Sequence, residues 1–201
     1  MPDAVLLEWE GVLADTGSAR RDALLRALAD EGVPWTAAAY DACCGGLDVR
    51  AAAVRAIAST GRDDPTLADI VALRASRSFL EWLGRGFVLM PDVPELIEAI
   101  EHRTRLAIVT RAGLAETEIA LRLSGLDRSI GIVVTADEVT DLPPAPALYE
   151  RALAQLARSR PVHADRVVAV VRAPAAVSAA QAAGIRTVDS LAGIAGIAEP
   201  V

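Results

Sequence analysis

Short apolar runs punctuate the chain at intervals. Ala4-Val5-Leu6-Leu7 ends at the polar string Glu8-Trp9-Glu10-Gly11. Later runs are Leu106-Ala107-Ile108-Val109, Ile130-Gly131-Ile132-Val133-Val134, Val167-Val168-Ala169-Val170-Val171 and Ile185-Arg186-Thr187-Val188. Their length and β-branched content predict buried strands. Helical patterns lie between most of them, at Val93 to His102, Leu114 to Leu123, Pro146 to Ala157 and Pro174 to Ala183. Gly125 and Gly184 follow helical stretches, where a terminating glycine belongs. Strands alternating with such helices predict an α/β fold, a doubly wound parallel sheet with helices on both faces.

One interval breaks the alternation. Between Glu10 and Arg105 the chain is far too long for a single crossover helix. Asp22 to Ala29, Val49 to Ile57 and Leu67 to Trp82 carry apolar residues at helical spacing, with no convincing strand among them. Met90-Pro91-Asp92-Val93-Pro94 then restarts the α/β pattern. The expected organisation is a Rossmann-like core of residues 1–16 and 87–201 with a helical domain of residues 17–86 inserted after the first strand.

Composition narrows the chemistry. The formal net charge of −7 argues against a nucleic-acid binder, which would present a basic face. All 20 basic residues are arginine, so lysine-dependent Schiff-base or phosphate-loop chemistry is excluded. No apolar run is long enough to cross a bilayer, and no membrane partner is expected. Met1-Pro2-Asp3-Ala4-Val5 lacks a basic region and a long apolar stretch, so no signal peptide is read and the cytoplasm is the expected compartment. Cys43 and Cys44 are adjacent, which is neither a redox nor a zinc-ligand spacing, and read as small apolar residues. His102 and His163 lie in polar stretches and read as surface groups.

In a doubly wound sheet, ligands bind beyond the carboxyl ends of the strands. The residues there are Glu8 and Glu10 after the first run, Thr110-Arg111 after the second and Arg172-Ala173 after the fourth. Glu8 and Glu10 are two apart and share a face if the strand continues. Paired strand-end carboxylates suit a metal site or acid/base work, and equally a solvated edge.

At these positions the sequence resembles the haloacid dehalogenase-like hydrolases, in particular the phosphoglycolate phosphatase and β-phosphoglucomutase-like branch with a helical cap. That family opens with D-x-D-G-T/V-L-x-D-S/T; here the stretch is Glu8-Trp9-Glu10-Gly11-Val12-Leu13-Ala14-Asp15-Thr16. Ala107-Ile108-Val109-Thr110 fits the second motif, Pro143-Pro144-Ala145-Pro146 stands for K-P-x-P, and Val171-Arg172-Ala173-Pro174 opens the stretch matching the fourth. Leu89-Met90-Pro91-Asp92-Val93-Pro94-Glu95-Leu96 matches the return from the cap. The resemblance places Glu8 at the family nucleophile, Glu10 at the acid/base and Thr110 at the phosphate-binding hydroxyl. It places Pro143 at the lysine, and Val171 and Arg172 at the acids that help hold Mg²⁺. Only Thr110 keeps its family identity.

The resemblance therefore implies a hydrolase fold whose phosphatase chemistry is lost. An added methylene displaces Glu8 from attack geometry, and a displacement near 1 Å costs on the order of 10²-fold. Mg²⁺ demands near-octahedral oxygen ligands, which Val171 and Arg172 do not supply. No metal is expected at the family positions Glu8, Glu10, Val171 and Arg172, and no other cofactor. The expected partners are a small anionic ligand in the cleft between core and cap, or another protein. The alternative is an active phosphatase of small phosphorylated metabolites, using Mg²⁺ with Glu8 as nucleophile. A further expectation is that the Arg172 guanidinium replaces the metal's charge by bridging Glu8 and Glu10, against the option that it turns to solvent.

Overall fold

The computed structural model describes residues 2–44, 47–139 and 146–195. The chain divides into two compact units, Met1–Asp15 with Val88–Val201, and Thr16–Phe87.

The first unit is built on a parallel sheet of β1 (Ala4–Leu7), β2 (Arg105–Val109), β3 (Ile132–Val134), β4 (Val167–Val170) and β5 (Arg186–Val188) in the order β3-β2-β1-β4-β5. β1 is central and fully buried, as its unbroken apolar run requires of a strand covered on both faces. It pairs with β2 through Leu7 opposite Ile108 and with β4 through Leu7 opposite Val170. The chain moves outward from β1 to β2 and β3, then returns to the other side of β1 for β4 and β5. The order thus reverses between β1 and β4, which makes the carboxyl ends of these two strands the crevice where such sheets bind ligands.

Four helices of the second unit come first in the chain: α1 (Gly17–Asp30), α2 (Ala37–Cys43), α3 (Val49–Ala58) and α4 (Pro65–Leu83). In the first unit follow α5 (Val93–Glu101), α6 (Leu114–Ser124), α7 (Ala147–Ala157), α8 (Pro174–Ala182) and the short α9 (Ala192–Ala195). α6 ends at Gly125 with φ 75°, a left-handed position that suits glycine. Asp92, which precedes α5, holds φ 64° and is the non-glycine residue with positive φ among the described residues, a conformation acidic side chains tolerate better than most.

Within the helical unit, the spacing of apolar residues on α4 buries Leu67, Val71, Ala75, Phe79 and Leu83. Asp64 begins α4 by accepting the Leu67 N–H at 2.9 Å, and Pro65 fits the first turn. Arg20 lies over the Phe79 ring at 4.0 Å from its centroid. α2 escaped the sequence pattern because none of its seven residues is buried, so it has no apolar stripe to read. Its start is set instead by Thr36, which accepts the Ala39 N–H. Cys44 is buried in this unit's core, and burial pushes its thiol up to about 12. His102 and His163 are exposed. No helix among the described residues is long and apolar enough to cross a membrane.

Candidate active site

Glu8 is carried one step beyond β1 by the sheet itself, since its N–H still donates to the Val170 carbonyl at 3.1 Å. The residue is only 7% exposed. Its carboxylate reaches across to the loop between β4 and α8, where Oε2 accepts the Arg172 backbone N–H at 3.2 Å. Oε1 lies 3.6 Å from a guanidinium nitrogen of Arg111, an ion pair without a hydrogen bond. Burial raises the Glu8 carboxyl above its ordinary value, although the Arg172 and Ala173 N–H groups and the Arg111 charge oppose it, and the charge of Glu10 adds to the rise. A carboxylate already bonded to a backbone N–H and paired with a guanidinium is a poor nucleophile.

Glu10 sits in a tight turn closed by Gly11 N–H to the Ala14 carbonyl at 2.8 Å and by Leu13 and Ala14 N–H groups on the Trp9 carbonyl. Gly11 takes φ 74°, which explains a glycine there. Thr110 extends β2 by donating its N–H to Val134 at 3.0 Å, and its Oγ1 accepts the Ala112 N–H at 3.1 Å. Val171 is apolar, 2% exposed and provides no ligand side chain. Pro143 lies outside the described residues.

The Arg172 guanidinium does not bridge the two glutamates. It is exposed and donates through Nη1 to the Gly11 carbonyl at 3.2 Å, while its backbone N–H, not its side chain, serves Glu8. The physical reason is that the loop presents its N–H toward Glu8, leaving the side chain to run along the turn at residues 9–14. Its head needs only a carbonyl there, because Arg111 already faces Glu8.

The sequence assigned no role to two residues near Glu8. Arg111 follows Thr110 directly, so its position at a strand end was visible; nothing marked it as the residue that faces Glu8. Tyr149, on α7, is 4% exposed. Its hydroxyl is pushed well above its ordinary ionisation by burial first and by the Glu8 charge second, against the Arg111 charge, so it stays a protonated donor. Only its closeness in the fold, three residues after Pro146 in the chain, brings it near the pair.

The donor set does not fit Mg²⁺. No group of three or more His, Cys, Asp or Glu suited to a metal occurs among the described residues. The acid that most clearly faces the site, Glu8, is spent on a backbone N–H and on Arg111, and Val171 and Arg172 offer no oxygen side chain. A cationic guanidinium within 4 Å of the carboxylate also opposes a divalent ion electrostatically.

The haloacid dehalogenase-like hydrolase family model matches residues 6–189. Protein CbbY of Rhodobacter capsulatus is 30% identical over 196 residues, covering 92% of this chain and 83% of that protein. The crystal structure of CbbY from Rhodobacter sphaeroides in complex with phosphate has a TM-score of 0.80 at 27% identity, covering 93% of this chain and 85% of that one. A mutant of that protein in complex with xylulose-(1,5)bisphosphate gives 0.81 at 25% identity, covering 96% of each chain.

Proposed function

The chain belongs to the haloacid dehalogenase-like hydrolase family, and from that premise we propose that it retains the family scaffold without metal-dependent phosphatase turnover. One observation carries this reading: the carboxylate at the nucleophile position is buried, bonded to the Arg172 N–H and paired with Arg111. Phosphoryl transfer depends on positioned charge that balances the transferring group, supplied by metal and lysine in the family. Here the metal positions carry Val171 and Arg172, and the chain contains no lysine. The role left to the fold is binding, of a small anion at the carboxyl end of the sheet or of a protein partner.

A second reading is an active phosphatase of a small phosphorylated metabolite, with Glu8 as nucleophile and Mg²⁺ as cofactor. It draws on the 30% identity to Protein CbbY and on the phosphate and bisphosphate in the related crystal structures.

A turnover screen separates the two. Phosphomonoesters, including sugar phosphates and a sugar bisphosphate, are incubated with the protein and Mg²⁺ or Mn²⁺ beside the Glu8→Gln variant. The expected result is no phosphate release above that variant. Robust release that Glu8→Gln abolishes would establish the second reading instead.

A further inference from the structure

We propose that Cys43 and Cys44 form a peroxide-sensitive dithiol, a modification site that closes reversibly to a disulfide between neighbouring residues. The site lies within the helical unit and is independent of the chemistry at Glu8.

These are the two cysteines of the chain, and both are free thiols. Cys43 ends α2, and Cys44 follows it as the capping residue, its N–H donating to the Tyr40 carbonyl at 2.8 Å. Their sulfurs are 3.9 Å apart. A disulfide needs about 2.05 Å, an approach within the reach of two side-chain rotations. The Cys43 Sγ–H donates to the Ala39 carbonyl at 2.9 Å. With that proton directed along the helix, the Cys44 Sγ–H is left to face the Cys43 sulfur. No group of three or more His, Cys, Asp or Glu suited to a metal occurs among the described residues, so the pair reads as a dithiol and not as part of a metal site.

The two thiols differ in their surroundings. Cys43 is half-buried, whereas Cys44 is fully buried in the core of the helical unit, where burial raises its thiol most. Cys43 is therefore the sulfur that a small oxidant meets first. Arg55 donates from Nη1 to the Cys43 carbonyl at 2.8 Å, which keeps a cation at this helix end and offsets its partial negative charge. The Cys43 sulfur attacks one oxygen of the peroxide, the O–O bond breaks, and a sulfenic acid and water form. The Cys44 sulfur then attacks the Cys43 sulfur. The S–O bond breaks, and the oxygen leaves as water with the Cys44 proton. Overall the two thiols lose two hydrogens and the peroxide becomes two waters. Contact between the sulfurs makes up for the low thiolate character of Cys44 in this second step. Neighbouring Cα atoms are about 3.8 Å apart, below the roughly 4.4 Å or more usual across a disulfide. The closed ring is strained, and strained disulfides are readily reduced.

The test is intact-mass spectrometry of the full chain, first reduced, then exposed to hydrogen peroxide, with remaining thiols alkylated. Wild type should lose about 2 Da as a monomer and take up no alkylating group. Reduced glutathione at millimolar concentration should restore both thiols. Cys44→Ala should stop at the Cys43 sulfenic acid, trapped by dimedone, and Cys43→Ser should lose its remaining thiol at least about tenfold more slowly than wild type loses its pair. Circular dichroism confirms that each variant is folded, and the wild-type mass shift stands without them. The proposal is overturned if wild type keeps both thiols, or if the product is a dimer joined between chains. It is overturned equally if Cys43 proceeds to the sulfinic acid while Cys44 stays free, if glutathione leaves the disulfide intact, or if Cys43→Ser reacts as fast as wild type.

Discussion

Two arginines flank the same strand and are used in opposite ways. Arg105 opens β2 at its amino end, and Arg111 lies just past its carboxyl end. Arg105 donates from Nη1 to the Leu156 carbonyl at 2.8 Å and to Ser159 Oγ at 3.2 Å, and from Nε to the Asp3 carbonyl at 3.4 Å. It ties the end of α7 to the start of β1. Among the described residues Arg111 has one loose ion pair, with Glu8 at 3.6 Å. The groove beside Arg105, about 530 Å³, is lined by polar groups that are engaged in part, while Arg105 Nη2 is buried without a hydrogen-bond partner among the described residues. Thr104 donates to the Pro2 carbonyl, Gln155 to Glu138 and Ser159 to the Leu156 carbonyl. The fold therefore binds the two guanidinium groups to different degrees: Arg105 is tied by three donated bonds, with its Nη2 buried and without a hydrogen-bond partner among the described residues, whereas Arg111 rests on an ion pair with Glu8.

The largest test of this contrast is Arg105→Ala. It removes three donated bonds, so chemical denaturation should report a loss of about 2 kcal/mol. A loss near zero would mean that the bonds at Arg105 do not distinguish it from Arg111.

A smaller effect is expected at Glu8, and its sign follows from the direction of the shift. The folded carboxyl is raised above its ordinary value of 4.5 by burial and by the charge of Glu10, against the Arg172 and Ala173 N–H groups and the Arg111 charge. The native state then holds a proton more tightly than the unfolded chain. That favourable contribution is fully present below about pH 4.5 and is lost as pH rises through the higher folded value. Glu8→Gln escapes the loss. Its melting temperature relative to wild type should therefore rise between pH 4 and pH 7, on the order of a few degrees or less for a domain of this size. A relative melting temperature that falls over that range would show that Arg111 more than compensates for burial.

Much of the fold was legible because it rests on pattern. The buried run Ala4–Leu7, the four later apolar runs and the helical insertion are dictated by burial, and burial leaves a mark on residue type. The strand ends were less sharp. β3 begins at Ile132 instead of Ile130, and β5 at Arg186 instead of Ile185, because flanking apolar residues are buried without joining the ladder. Glu8 and Thr110 were legible from their place after strands. The partner of Glu8 was not. The Arg172 identity suggested a guanidinium near the carboxylates, but a side chain's direction from a loop is set by which neighbour its backbone N–H must serve. Arg111 pairs with Glu8 from beyond β2, and the Glu8 charge is felt by Tyr149 on α7, a juxtaposition that only the three-dimensional fold creates.

The central claim is that the residues around Glu8 do not make a site for a divalent ion. The most direct measurement is the thermal stability of the wild-type chain as Mg²⁺ and Mn²⁺ are raised to millimolar concentration at fixed ionic strength. The account predicts no stabilisation by either ion, and the same flat response in Glu8→Gln. A rise in melting temperature that grows with metal concentration and disappears in Glu8→Gln would show that Glu8 ligates a metal, and would contradict it.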